Sequence, residues 1–126
     1  MQDARDKLLS LYVTQNLIAG PLYRISQPKG RRFTDPGEQI QYICTSLKTT
    51  EPRVSRAFIE LRKNRNNLVH GRSYTAHDHE NAVFHATVIC EWIDGHIHEN
   101  GHWIEASKLA NATRRELSAI PVSSIY

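Results

Sequence analysis

Leu61 to Gly71 reads LRKNRNNLVHG; within it four residues separate Arg65 from His70, and Asn66 directly follows the arginine. A guanidinium offers a planar fork of donors to phosphate oxygens, an imidazole changes charge near neutral pH, and a carboxamide can orient either group. Together they can hold a phosphate and move a proton. The same Arg-to-His spacing recurs at Arg72 and His77, so spacing alone carries little weight. The setting of the first pair sets it apart. Val54, Ala57, Phe58 and Leu61 repeat at helical spacing, the stripe continues through Arg65 to Leu68, and Gly71 closes the pattern. An arginine on an apolar face must be paired or face an anion.

On an ideal helix, turning about 100° per residue, Arg65 and His70 point about 140° apart, whereas Asn66 and His70 share a face. Either the helix stops before His70, with Gly71 as its terminator, or a second chain completes the site. A plainer reading also stands: Arg65 pairs with a core carboxylate such as Glu60 or Glu91, and His70 merely ends the helix.

The remaining chemistry-bearing residues form weaker patterns. His77 and His79 flank Asp78, and His96, His98 and His102 gather further on. His98 and His102 have the i,i+4 spacing of zinc ligands, but Gly101 falls between them and no cysteine is close by, so they read as solvated or capping residues. No metal or other cofactor is expected. Paired catalytic carboxylates, a glycine-rich phosphate loop and a serine nucleophile with its base lack convincing patterns.

The elements that position these residues read as helices. The first is predicted from Asp3, as its cap, to Ala19, stopped by Gly20-Pro21. Residues 20–34 then form a connection carrying Arg24, Lys29, Arg31 and Arg32 beside Tyr23 and Phe33, a mixture able to contact phosphates and stack on a base. A second helix starts at Asp35, with Pro36 first and Glu38 at the capping-box position, and buries Ile40, Ile43, Cys44 and Leu47. The next begins near Pro52. Another runs from Thr75, with Asp78 reaching back, to Gly101, and between residues 82 and 93 it is apolar on every side, which points to a face covered by a second copy or to a central helix wrapped by its own chain. A last helix spans His102 to Leu117, and the segment after Pro121 is expected to be loose.

At 126 residues the chain fits one domain, here residues 1–119 with a tail at 120–126. Its net charge of +3 is divided: Arg24 to Arg72 holds 11 Lys or Arg against 4 Asp or Glu, giving +7, and Ser73 to Ser107 holds none against 6, giving −6. The basic half is the candidate polyanion surface, with Arg62, Lys63 and Arg72 joining Arg24, Lys29, Arg31 and Arg32 as candidate contacts. Cys44 and Cys90 fall among apolar residues without a CxxC pair, which suggests reduced thiols and a cytoplasmic protein. No apolar run approaches the ~20 residues that span a bilayer, so no membrane partner is expected.

LRKNRNNLVHG resembles the signature of the HEPN superfamily (higher eukaryotes and prokaryotes nucleotide-binding domains): an arginine, four to six residues, then a histidine, often with a polar residue after the arginine. Arg65, Asn66 and His70 match those positions. The resemblance implies an all-α, four- to five-helix bundle, homodimeric, covering most of residues 3 to 119. It also implies a metal-independent endoribonuclease whose cleft lies between two protomers, with Arg65 stabilising the phosphate and His70 assisting removal of the 2′-hydroxyl proton. The resemblance further implies a toxin or antiviral effector, with a cognate antitoxin or regulatory protein as an expected partner. Two other classes remain open: a non-catalytic RNA- or nucleotide-binding module, and a helical dimerisation domain of a larger assembly.

Overall fold

The structure is a computed structural model that describes residues 2–26 and 33–125; for residues 2, 3 and 13–16 it describes the backbone alone. The proposed cap Asp3 and the candidate contacts Lys29, Arg31 and Arg32 therefore lie outside the described side chains. Among the described residues the chain is all-helical: α1 (Gln2–Asn16), α2 (Ala19–Ile25), α3 (Pro36–Leu47), α4 (Pro52–Val69), α5 (Ala76–Asp94) and α6 (Gly101–Ala119), with a short 3-10 turn at Val122–Ser124. None of these helices is long and apolar enough to cross a membrane.

Among the described residues six α-helices stand where the sequence reading has five and the resemblance implies four to five, because the first predicted helix and part of the connection after it become two. The chain turns at Leu17 and Ile18, which lets Ile18, Ala19, Leu22 and Tyr23 all enter the core. Pro21, read as a stop, falls instead in the first turn of α2, where a missing N–H leaves no helical bond unmade. The Asp35 side chain caps α3 by accepting from the Glu38 N–H at 3.1 Å, with Pro36 in the first turn. α5 opens with a complete capping box: the Thr75 hydroxyl accepts from the Asp78 N–H at 3.1 Å, and the Asp78 carboxylate accepts from the Thr75 N–H at 2.8 Å. α5 ends at Asp94 rather than running on to Gly101, and Asn100 caps α6 by accepting from the His102 N–H.

The core joins Leu8 and Tyr12 of α1, Ile43 of α3, Phe58 and Leu61 of α4, Ile89 and Ile93 of α5, and Leu117 of α6. Burying each such aliphatic or aromatic side chain contributes about 1.5–3 kcal/mol, and this drives the assembly. α5 packs against both α4 and α6. It is nonetheless not buried on every side: Phe84 is 54 % exposed, so the apolar residues between 82 and 93 divide into a face covered by the chain itself and one open to solvent.

A buried hydrogen-bonded chain crosses this core. His79, 1 % exposed, donates from Nε2 to the carbonyls of Leu117 and Ile120 at 3.0 and 3.1 Å, and its Nδ1 lies 3.1 Å from the Tyr74 hydroxyl. Tyr74 in turn shares a 2.9 Å hydrogen bond with Tyr12. His79 is thus a core residue, not a solvated or capping one. With Ile120 and Ile125 buried, this anchoring also replaces the loose end expected after Pro121.

Candidate functional site

α4 carries Arg65 and Asn66, and His70 caps its C-terminal end. The helix stops at Val69, with His70 as the capping residue and Gly71 in the left-handed region at φ +67°. Two backbone bonds close it in a Schellman motif: Gly71 N–H donates to Leu68 O at 3.2 Å, and Arg72 N–H donates to Asn67 O at 2.7 Å. Arg5, from α1, donates to Leu68 O at 2.9 Å and Arg72 O at 3.3 Å, a clamp that sequence reasoning missed. A cation on exposed C-terminal carbonyls is favoured by the helix dipole, but residues some 60 positions apart leave no local sequence trace of such a bond.

His70 is exposed at this end. Arg65 is partly buried, and the core stripe passes through Asn64, 8 % exposed, rather than through Arg65 as the spacing suggests. Both 64 and 65 are compatible with a helical stripe through Leu61 and Leu68, and the carboxamide is the side chain that finds partners inside: Asn64 lies against Tyr12 and donates weakly to Asp78 O at 3.5 Å. Arg65 sits at the stripe's edge. Its Nη1 donates to Asn66 Oδ1 at 3.0 Å, while its Nε is buried without a hydrogen-bond partner. The carboxylate of Glu60 is taken by Arg56 at 3.1 Å and Lys63 at 3.9 Å, so it does not neutralise Arg65.

Arg65 and Arg62 line one cavity of about 220 Å³ with Asp35, Pro36 and Gly37 at the start of α3. Arg62 donates from Nη1 to Gly37 O at 2.6 Å, and a Cβ at position 37 would come within 2.9 Å of the Arg62 guanidinium, so glycine permits the close approach. A second, larger hollow of about 480 Å³ runs between α3 and α4 and includes Arg62, Lys63 and Asn66. Its floor is tied across the two helices, since the Ser55 hydroxyl donates to Cys44 O at 3.0 Å.

The other sequence-predicted contacts disperse. Arg24 belongs to α2 and reaches Glu105 of α6 at 3.8 Å, away from the motif. Tyr23 and Phe33 do not present free faces: Tyr23 is buried, its hydroxyl accepts from the Phe33 N–H at 2.8 Å, and the two rings pack with Tyr42. Arg72 is exposed beside the end of α4. The structure therefore brings Arg62, Lys63, Arg65 and Asn66 together on α4 and leaves His70 one turn beyond Asn66.

Among the described residues no three His, Cys, Asp or Glu side chains converge as a metal site would require. His98 sits in the turn before α6 and His102 within it, His96 stacks on Trp103 at 4.5 Å and bonds Glu99, and His102 faces Glu105 at 3.8 Å. Both cysteines are buried free thiols, and burial pushes each up from 9.0 to about 11. No family model matches the chain, and neither a curated protein nor a solved structure matches it.

Proposed function

We propose that this chain is a HEPN-like, metal-independent endoribonuclease acting in the cytoplasm as a homodimer. The observation that carries the reading is the state of Arg65. One side of its guanidinium is held by Asn66, its Nε is buried without a partner, and it lines a cavity with a second arginine. Among the described residues no carboxylate lies within ion-pair distance of Arg65, and an anion in that cavity would meet its charge together with that of Arg62. Phosphate suits the planar fork.

In this reading Arg65 neutralises the phosphate and Asn66 fixes the guanidinium. His70 takes the proton from the ribose 2′-hydroxyl as its oxygen forms the new bond to phosphorus. The P–O5′ bond breaks, a 2′,3′-cyclic phosphate remains, and the charged imidazole can return the proton to the departing 5′ oxygen. His70 caps the end of α4 and does not line the Arg65 cavity, so each cleft draws on two copies. Val69 on α4 and Phe84 on α5, 48 % and 54 % exposed, supply apolar surface for that pairing. A toxin or antiviral effector held in check by an antitoxin or regulatory protein fits such an activity.

The absence of His70 from the lining of the Arg65 cavity also favours a second reading, an RNA- or nucleotide-binding module that does not cut. Incubation of the purified protein with mixed RNA in EDTA separates the two. We expect cleavage by the parent and none by Arg65→Ala or His70→Ala, with an unchanged circular dichroism spectrum for His70→Ala. Equal activity in all three would remove the mechanism; binding without cutting in the parent would leave the module.

A further inference from the structure

We infer that the hollow between α3 and α4 holds an unstacked nucleotide of a single RNA strand, beside the phosphate site at Arg65. The inference rests on the RNA-handling reading above and adds to it a base-binding subsite outside the Arg65 cavity. At about 480 Å³ the hollow lies within the roughly 300–1,000 Å³ of small-molecule sites. Its middle is apolar, with Ile40 and Cys44 from α3 facing Phe58 and Ile59 from α4. Such a surface suits the faces of a base and gives no reason to hold a phosphate.

Charge is placed at the two ends instead. α3 and α4 form an antiparallel hairpin, so Lys48 and Ser55 mark the end nearest their connection, and Arg62, Lys63 and Asn66 mark the open end. From Ser55 to Arg62 the helix rises about 10 Å at ~1.5 Å per residue, a span that the long Lys48 and Arg62 side chains shorten. No carboxylate lines the hollow. Glu60 lies outside it and takes part of the charge of Lys63, at 3.9 Å, while Lys48 has no ion pair among the described residues. An apolar middle between two cationic ends matches a base flanked by its 5′ and 3′ phosphates better than a free mononucleotide, which carries phosphate at one end.

Continuity with the candidate chemical site strengthens the assignment. Arg62 lines both this hollow and the Arg65 cavity, and Asn66 lines the hollow while it holds Arg65. A strand laid in the hollow thus passes its next phosphate to Arg62 and Arg65. A duplex cannot enter in this way, because its bases are stacked and paired.

Fluorescence anisotropy with a labelled, unstructured 2′-O-methyl RNA, which lacks the attacking hydroxyl, tests the site on the intact chain. Thr45 is exposed and lines the hollow, so Thr45→Trp fills it without entering the core. We expect Thr45→Trp to weaken binding at least tenfold with an unchanged circular dichroism spectrum. Lys48→Gln should lower the dependence of log affinity on log salt by about 0.7. Lys108→Gln, on α6, should change neither. A duplex of the same sequence, or 5′-AMP as competitor, should bind far more weakly than the strand.

Parent-like binding by both Thr45→Trp and Lys48→Gln would overturn the assignment, and so would equal affinity for strand and duplex. If those variants bind like the parent and unmodified RNA is still cleaved, the hollow is excluded and the nuclease reading survives. A tenfold loss in Thr45→Trp, in a parent that never cuts RNA, supports the hollow and removes the nuclease.

Discussion

Replacing Gly71 by alanine isolates the backbone geometry that ends α4 from every side-chain effect. At φ +67° an L-residue crowds its own carbonyl, a cost of about 1–2 kcal/mol. A Cβ built at this position meets no heavy atom within 4 Å, so no clash adds to that figure and no new packing offsets it. We therefore expect Gly71→Ala to lose about 1 kcal/mol or slightly more. In a chain of this size that lowers Tm by roughly 4 °C. Gly71→Asn should lose less, because asparagine tolerates the left-handed region. Urea and thermal unfolding followed by circular dichroism measure all three proteins. If the Schellman bonds from Gly71 and Arg72 break to relieve the strain, His70 is displaced, and RNA cleavage should fall further than RNA affinity. Alanine and asparagine variants of equal stability, or an alanine variant as stable as the parent, would show that this left-handed residue is not what terminates the helix.

Two further outcomes concern the core. Tyr74→Phe and His79→Leu each remove one member of the buried chain and strand its neighbours, so each should cost about 2 kcal/mol in urea unfolding. The double variant should cost at least 0.5 kcal/mol less than the sum, and strict additivity would mean the two groups do not interact. Stability should also depend on alkaline pH. Cys44 and Cys90 are raised from 9.0 to about 11, and Tyr12 from 10.0 to about 12, in each case chiefly by burial. Above pH 9 the unfolded chain therefore releases thiol protons that the folded chain retains, and unfolding free energy falls as pH rises. This stabilisation is complete below about pH 9 and is lost between 9 and 11 for the thiols. A urea midpoint that stays level from pH 8 to 11 would contradict it.

The parts of the fold readable in advance were those written in local sequence. Asp35-Pro36 and the Thr75 to Asp78 pair cap their helices through bonds that span three residues, and Ile40, Ile43 and Cys44 repeat at the period of the helix they bury. Gly71 as the end of α4 belongs to the same class. What the sequence hid depended on partners far along the chain. Gly20-Pro21 reads as an ending, yet proline is equally at home in a first turn, and only the burial of Ile18 and Leu22 decides between them. His79 looks like a surface histidine beside Asp78 until its acceptors at Leu117 and Ile120 are in place. Composition left Phe84 open, since an apolar residue type does not determine which side of a helix the rest of the bundle covers. Of the candidate site, the clustering of Arg62, Lys63, Arg65 and Asn66 on one helix followed from spacing; the cavity shared with the start of α3, and the Arg5 clamp, did not.

The bonds of Tyr12, Tyr74 and His79 also have a direction. Carbonyls accept and never donate, so Leu117 and Ile120 require the ring proton on Nε2, and in the neutral ring the opposite nitrogen must then receive the Tyr74 proton. The Tyr74 oxygen is left to accept from Tyr12. Every hydrogen in the row consequently points the same way, from the first helix toward the end of the last. Reversing one hydroxyl would require reversing its neighbour, so the interior has a single low-energy arrangement instead of several interchangeable ones.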